Sequence, residues 1–349
     1  MAQGNTQQRW IIQSPYVFLL FLWLVISCAY LQIFSVSPII DLLISKYQIS
    51  NTEAGFLMGV PPFMIATFAI IGGVFCDKIG VKKIAFASLT MISLAGIGRA
   101  ASQSVMQLLL LTIVMSIGIG IFLPSGPKMI KNIFPSSRIG FATGIYVTGM
   151  CVGPAIGLTW TRHLTVVMGG SESFSFLLYG LSSLAVTILF LLSLNFQADK
   201  MCNTSELHAL KDTIGVVIRN KNILLISLIA FTLEYTFYTV TMWFPSVLVS
   251  RNEDVIIASL IMWTFPAMPL ASHYSNTFWR KKIILTASIA LVAVFLLCMC
   301  FFSGGFLWMA TALFGIFINI PFAFLFLLPL DYAKENQIGS ATGVVLTVA

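Results

Sequence analysis

Successive uncharged, apolar runs constrain this chain more than any other feature of its sequence. The first run extends from Ser14 to Ile40 without one charged residue, and residues 54–76 form a second such run. About 20 apolar residues suffice for a helix to cross the hydrocarbon core of a bilayer. Because lipid offers no hydrogen-bond partners to the backbone, only helices and closed barrels can span it. The runs therefore predict an all-α polytopic membrane protein.

The composition excludes a water-soluble globule. Hydrophobic residues make up 58% of the chain and charged residues only 9%, whereas soluble domains carry about 25% charged residues. The first apolar run is too long for a signal-peptide core and lacks a small-residue cleavage site, so we expect it to be retained as a helix. The cysteines and histidines show no ligand spacing, so we expect neither a metal site nor a cofactor.

The distribution of basic residues predicts the orientation in the membrane. The apolar runs place helices near residues 15–40, 53–76, 83–101, 104–127, 138–161, 173–195, 222–248, 254–275, 283–302 and 306–330, with a last one from about 338. With the amino terminus in the cytoplasm, 15 of the 19 basic residues lie inside. The four outside are Lys46, Arg99, Arg162 and Arg251. Positive loops stay inside, so the formal charge of +7 reflects a cell-membrane orientation and does not indicate nucleic acid.

A polar linker and an internal repeat divide the chain. Residues 196–221 form the longest polar interruption, between a bundle at 1–195 and a second at 222–349. The hexapeptide at 139–144 (IGFATG) recurs at 338–343 (IGSATG), an offset of 199 residues. A parallel repeat is typical of transporters built from two related halves. It predicts two pseudo-symmetric six-helix bundles, the second truncated within helix 11, and thus a chain incomplete at its carboxyl end.

The loop between the second and third predicted helices carries a signature, GVFCDKIGVKK. It resembles the Gly-x-x-x-Asp-[Arg/Lys]-x-Gly-[Arg/Lys]-[Arg/Lys] loop of the major facilitator superfamily, the alternative being a chance hairpin in another polytopic protein. With Val81 intervening, the matching residues are Gly73, Asp77, Lys78, Gly80, Lys82 and Lys83. The resemblance implies a cytoplasmic gate in which Asp77 pairs with Arg138 or Lys131 and meets the segment at 338–339.

The fifth predicted helix carries a second motif. It is similar to the family's Gly-x-x-x-Gly-Pro-x-x-Gly pattern, and its residues are Gly149, Gly153, Pro154 and Gly157. Small residues permit close helix contact and proline introduces a kink; generic packing glycines are the alternative. Since Leu158 replaces the second glycine of the exchanger pattern, antiport is not inferred from this motif.

Glu234 is the one ionisable residue well inside a predicted span. It follows Lys221 by 13 residues, roughly 20 Å along a helix, which places it near mid-bilayer. A charged carboxylate there is costly unless it is protonated, paired or facing water. Two readings stay open, a proton-coupling or cation-binding group in a central cavity and a neutral glutamic acid hydrogen-bonded between helices.

The resemblance also implies a cavity lined by helices 1, 4, 7 and 10. Its polar candidates are Tyr30, Gln32, Tyr235, Tyr238 and Asn319, each of which could instead be a packing or interfacial residue. No basic residue is expected inside a span, which favours a neutral or cationic small solute over an anion.

The function implied is secondary active transport by alternating access, coupled to protons, by a monomer. The alternative is a non-transporting sensor or scaffold with the same fold. The chain has no phosphate-binding loop for ATP-driven pumping. A single intramembrane acid also cannot form a catalytic constellation, so we expect no enzyme activity.

Overall fold

The described residues of the chain are helical and contain no β-strand. A computed structural model describes residues 14–78, 81–135, 138–169, 171–193, 221–268, 278–332 and 348. The helices are α1 Pro15–Phe34, α2 Ile40–Tyr47, α3 Asn51–Lys78, α4 Val81–Arg99, α5 Val105–Phe122, α6 Ser125–Ile133, α7 Ile139–Val167, α8 Glu172–Ser193, α9 Lys221–Ser250, α10 Leu260–Trp263, α11 Phe278–Phe301 and α12 Gly304–Tyr332. Within these ranges, seven helical stretches are long and apolar enough to cross a membrane. The prediction of an all-α polytopic membrane protein is confirmed.

The first predicted helix is not continuous to residue 40. It ends at Phe34, passes through a 3₁₀ turn at Ser37–Ile39 and resumes as α2. Pro38 has no backbone N–H to donate and disfavours helical geometry before it. The Ser35 hydroxyl donates to the Gln32 carbonyl at 2.7 Å, which satisfies a carbonyl near the helix end. The sequence-based boundary was wrong because the apolar pattern continues through the break.

Two other boundaries differ for related reasons. The fourth predicted helix, at 104–127, divides into α5 and α6, with Pro124 directly before α6. The eighth predicted helix, at 254–275, opens as a 3₁₀ turn over Val255–Ser259 and continues as the short α10. The Asp254 carboxylate caps that turn by accepting from the Ile256 N–H at 2.9 Å. The linker predicted at 196–221, apart from Lys221, and the last predicted helix, apart from residue 348, lie outside the described residues.

Glycines of α7 bring it into backbone contact with α1. Gly149, Gly153 and Gly157 recur every four residues and therefore share one face of the helix. A Cβ atom on Gly153 would collide with the carbonyl oxygen of Ser27, and one on Gly157 would lie 3.2 Å from the carbonyl oxygen of Leu31. Larger side chains at these positions would separate the two helices.

Glycines also bring other pairs of helices in the amino-terminal half into backbone contact. A Cβ atom on Gly72 of α3 would meet the carbonyl oxygen of Ile121 of α5 at 2.5 Å. One on Gly180 of α8 would meet the backbone nitrogen of Ile97 of α4 at 2.6 Å. Because lipid tails are as apolar as leucine, helices in a bilayer associate through such close packing rather than through hydrophobic burial.

Replacing Gly153 with alanine should destabilise the protein, whereas replacing Gly144 should not. Both residues lie in α7, but a Cβ atom on Gly144 has no heavy atom within 4 Å. We expect Gly153→Ala to cost about 1–3 kcal/mol through overpacking. The measurement is the apparent melting temperature of both variants in detergent, and equal values for the two would contradict the contact.

Candidate functional site

Glu234 lies in α9 and interacts with polar side chains from the amino-terminal half of the chain. Its half-buried carboxyl group interacts electrostatically with Tyr30 of α1, Cys151 of α7 and Tyr238 of its own helix. Within the described part of the chain, no hydrogen bond or ion pair to this carboxyl group is present. The geometry therefore gives Glu234 polar neighbours but no fixed partner.

Aromatic and amide contacts extend this cluster across both halves of the chain. The Tyr238 ring stacks on the Phe34 ring of α1, with centroids 5.9 Å apart and planes at 24°. The Asn319 side chain lies against Cys151, with Oδ1 4.0 Å from the thiol sulfur that donates to it. Asn319 Nδ2 donates at 2.8 Å to the Ile261 carbonyl, so this side chain also joins α12 to α10.

Four of the six cavity and coupling residues expected from the sequence thus meet here: Glu234, Tyr30, Tyr238 and Asn319. Tyr235 does not meet them. It lies about 100° around the helix from Glu234, is 65% exposed and stacks on Phe231 at 6.3 Å. Cys151 belongs to the cluster and was missed, because a cysteine in an apolar run gives no signal of its own.

Gln32 also lies elsewhere. It is about 200° around α1 from Tyr30, and its side chain presses against Gly96 of α4. In the described part of the chain, its Nε2 makes one long contact of 3.5 Å to the Cys28 carbonyl, and its Oε1 is buried without a hydrogen-bond partner. In this structure Gln32 therefore does not contact the other candidates, and a place for it in the substrate cavity stays a prediction.

No basic residue was expected inside a span, and Arg99 lies at the end of one, as the last residue of α4, but it is buried in the protein. Its side chain is 1% exposed. Helical side chains point toward the amino end of their helix, so an arginine in the last turn of α4 reaches back into the protein. Nη1 donates to the Gln32 carbonyl at 2.8 Å, and the guanidinium lies 4.3 Å from the centre of the Phe176 ring. Nε and Nη2 have no hydrogen-bond partner among the residues that the structure describes.

The break between α1 and α2 contacts the carboxyl-terminal half of the chain. The buried Ser37 hydroxyl donates to the carbonyl oxygens of Met242 at 2.5 Å and Thr241 at 3.2 Å, both in α9. Pro245 explains why the Thr241 carbonyl is free. A proline has no N–H, so the carbonyl four residues earlier lacks its helical hydrogen bond. This contact was not predicted from the sequence, although Pro245 inside a predicted helix indicates a carbonyl without its helical donor.

A second contact between the halves lies at the same end. The Trp263 Nε1–H donates to the Thr159 hydroxyl of α7 at 3.1 Å, and the 3₁₀ turn at Val255–Ser259 packs against α7. Arg162 of α7 steadies the neighbouring break by donating to Asp41 Oδ1 at 2.7 Å and to the Pro38 carbonyl at 3.1 Å. The halves are closed against each other at this end.

The expected gate at the opposite end is only partly described. Gly73, Asp77 and Lys78 belong to α3, but their side chains, that of Lys131, and Gly80 and residues 338–339 lie outside the described part. Lys82 is buried and Lys83 exposed at the start of α4. The exposed Arg138 donates to the Tyr16 hydroxyl at 2.6 Å. Pairing of Asp77 with Arg138 or Lys131 stays a prediction.

The family model described as Major Facilitator Superfamily matches residues 22–349. The chain belongs to this superfamily. Among curated relatives, one named hexuronate transporter from Bacillus subtilis (strain 168) is 24% identical, over 93% of this chain and 82% of the relative. One named probable sulfoacetate transporter, from Cupriavidus necator, is 25% identical, over 54% of this chain and 44% of the relative. The superfamily is one of transporters rather than enzymes.

Solved structures share the fold. A bacterial homologue of the human lysosomal transporter Spinster, in an inward-facing and unoccupied conformation, has a TM-score of 0.74 at 15% identity, over 97% of this chain and 80% of that one. A D-xylose-proton symporter has a TM-score of 0.72 at 13% identity, over 95% and 87%. The superfamily member is therefore an integral membrane protein with the transporter fold.

Cysteines at positions 159 and 263 should cross-link the two halves. In a background without the six native cysteines, Thr159→Cys and Trp263→Cys place two thiols where side chains now hydrogen-bond. With a protease site inserted in the linker at 196–221, a short bifunctional methanethiosulfonate, which forms a disulfide with each thiol, should hold the cleaved halves together on a non-reducing gel, and a reductant should release them.

The matched control keeps Thr159→Cys and moves the second cysteine to Phe301, the 84% exposed last residue of α11. Halves that separate in both variants would show that the protein is not closed at this end in the membrane.

Proposed function

We propose that the protein is a secondary active transporter that moves a small organic anion together with protons across the cell membrane by alternating access. The observation that carries this proposal is the position of Glu234, whose carboxyl group has no hydrogen bond or ion pair among the described residues and interacts electrostatically with Tyr30 and Cys151 of the other half. In this proposal the protein acts as a monomer within the lipid bilayer, with its amino terminus in the cytoplasm.

The contacts between the halves support alternating access. If the amino terminus is cytoplasmic, Ser37 and Trp263 lie on the outer side, so their hydrogen bonds to α9 and α7 close the protein to the outside. Both contacts are single polar interactions without a charged pair, each worth about 0.5–1.5 kcal/mol net. Contacts of that size can open and close within a transport cycle.

Proton coupling is supported by the environment of Glu234. A carboxylate in the low-dielectric interior costs several kcal/mol more than its protonated form unless a partner or water compensates it. When the half-buried site is exposed to water, the charged form becomes accessible, so the group can load and release a proton as access alternates. A solved structure with this fold is named a D-xylose-proton symporter, which is consistent with such coupling.

The charge that we propose for the substrate differs from the charge expected from the sequence. A neutral or cationic solute was favoured because no basic residue was expected inside a span, but Arg99, at the end of α4, is buried without a carboxylate partner among the described residues. Hexuronate and sulfoacetate, in the names of two relatives, are both anions at neutral pH. A buried cation and these relatives together favour an anion.

Uptake into proteoliposomes made with the full-length protein tests the proposal. Under an imposed pH gradient, we expect accumulation of glucuronate or sulfoacetate above the equilibrium level, and no accumulation of glucose. A protein that binds these solutes but never moves them would instead be the non-transporting sensor or scaffold. If only neutral or cationic solutes accumulated, the proposed charge of the substrate would be wrong and the proposal of transport would stand.

Replacing Glu234 with glutamine should uncouple transport from protons. Glutamine keeps the size of the side chain but cannot exchange a proton, so we expect Glu234→Gln to lose pH-driven accumulation while retaining exchange of internal for external solute. Initial uptake rates measured at several pH values check this. The control is Glu53→Gln, because Glu53 is an exposed residue that accepts hydrogen bonds from Ser50 at the start of α3. An unchanged pH dependence of uptake in Glu234→Gln would contradict a role for Glu234 in proton coupling.

A further inference from the structure

Thr241 has a buried hydroxyl group whose surroundings differ from those of other threonines in α9. Thr232 and Thr236 each donate to a carbonyl oxygen of that helix at 2.8 Å, as threonine side chains in helices can do. The Thr241 side chain is fully buried, and its Oγ1 has no hydrogen-bond partner among the described residues. A buried hydroxyl group without a partner costs free energy, so a ligand that hydrogen-bonds to it would remove that cost.

The Thr241 hydroxyl group is directed toward Glu234. Thr241 follows Glu234 by seven residues in α9, which places both side chains on one face of the helix. Helical side chains also point toward the amino end of their helix, which here is the direction of Glu234. The main-chain carbonyl of Thr241 accepts from Ser37 at 3.2 Å. Thr241 therefore takes part in the outer closure through its backbone and faces the candidate site with its side chain.

Two tyrosine hydroxyl groups of the candidate site are also unsatisfied. Tyr30 of α1 and Tyr238 of α9 interact electrostatically with each other and with Glu234. Within the described part of the chain, neither phenol group makes a hydrogen bond. A hydroxyl group both donates and accepts, so these side chains and Thr241 offer a ligand several hydrogen bonds of either direction.

These side chains lie where a solute can reach them when the halves separate. Tyr30 belongs to the amino-terminal half and the other three to α9, so the cluster is formed between the facing surfaces of two helices. Glu234 and Tyr238 are only half-buried, which means that protein atoms do not fill the space beside them. Thr241 is covered in this structure, and loss of the Ser37 contact would uncover it from the outer side.

The length and the chemistry of the cluster match a polyhydroxylated chain. Glu234 and Thr241 are roughly 10 Å apart along α9, a span that a six-carbon chain and its hydrogen bonds can bridge. The Tyr238 ring stacks on Phe34 and meets Phe237 edge to face at 5.6 Å. Ring surface next to a few placed polar groups is typical of small-molecule sites, and it suits the C–H groups of a sugar-like chain.

We propose that Thr241, Tyr30 and Tyr238 recognise the hydroxyl groups of a transported sugar acid, whose polyhydroxylated chain lies between α1 and α9. The inference rests on the proposed function, since it narrows the small organic anions to those that carry several hydroxyl groups. A site built to hydrogen-bond a hydroxyl group rejects an analogue that lacks it, because the protein's own groups then stay unpaired. Glucuronate should therefore be a better substrate than sulfoacetate, which has no hydroxyl group on its carbon chain.

Transport kinetics of hydroxyl-deletion variants test the inference. Proteoliposomes of the full-length protein are assayed with glucuronate at one fixed pH. Thr241→Val keeps the shape of the side chain and removes its hydroxyl group, so the loss of one hydrogen bond should raise the KM about twofold to tenfold. Tyr30→Phe should raise the KM in the same way. Thr241→Ser changes the shape but keeps the hydroxyl group, and its KM should stay close to that of the wild-type protein.

The matched control is Thr236→Val, which makes the same substitution in the same helix. The Thr236 hydroxyl already donates to the Thr232 carbonyl and lies about 200° around α9 from Glu234, so its KM for glucuronate should not change. If Thr241→Ser raises the KM as much as Thr241→Val does, the side chain contributes its shape alone and the inference is wrong.

The remaining outcomes separate this inference from the proposed function. If the wild-type protein transports glucuronate and both Thr241→Val and Tyr30→Phe keep its KM, hydroxyl recognition at this site is wrong and the proposed function stands. If the wild-type protein moves sulfoacetate but not glucuronate, the polyhydroxylated class is wrong and transport of an organic anion stands. If it moves neither anion, the proposed substrate class fails and this inference fails with it.

Discussion

Backbone contact between helices is the interaction on which the rest of this structure depends. A bilayer removes the hydrophobic drive that would bury apolar faces in water, so neighbouring helices must gain their free energy from close packing and from polar contacts. In α7 the glycines at 149, 153 and 157 admit α1 to within contact distance of carbonyl oxygens. With α1 held in that way, its broken end is presented to the opposite half of the chain, and Tyr30 is presented to Glu234.

Prolines complement the glycines by freeing carbonyl groups where the halves meet. Pro38 ends α1 early enough for the Ser37 hydroxyl to project from a turn, and Pro245 leaves the Thr241 carbonyl without its helical donor. The two irregularities face each other, so each satisfies the need that the other creates. An uninterrupted α9 would keep the Thr241 carbonyl in a hydrogen bond of its own helix.

Much of the architecture could be predicted from the sequence because membrane helices follow the length and charge of apolar runs. Glu234 was identifiable for the same reason, since an acid in such a run has few physical explanations. The neighbour that each face of a helix contacts could not be predicted. Nothing in the local pattern indicates that Tyr30 faces the other half while Gln32 faces α4. Arg99 was assigned to the outer end of the predicted helix at 83–101 because the pattern locates its Cα atom, whereas its side chain extends several ångströms back into the protein.

The donor and the acceptors of the Ser37 hydrogen bond differ in how well they tolerate substitution. Its acceptors are main-chain carbonyls of Thr241 and Met242, which every residue type possesses, whereas its donor is one hydroxyl group. Side chains at 241 and 242 can therefore drift during evolution without breaking the hydrogen bond, while position 37 accepts only a small hydroxyl-bearing residue. The half that supplies α9 could diverge to suit new solutes and still close against an unchanged partner.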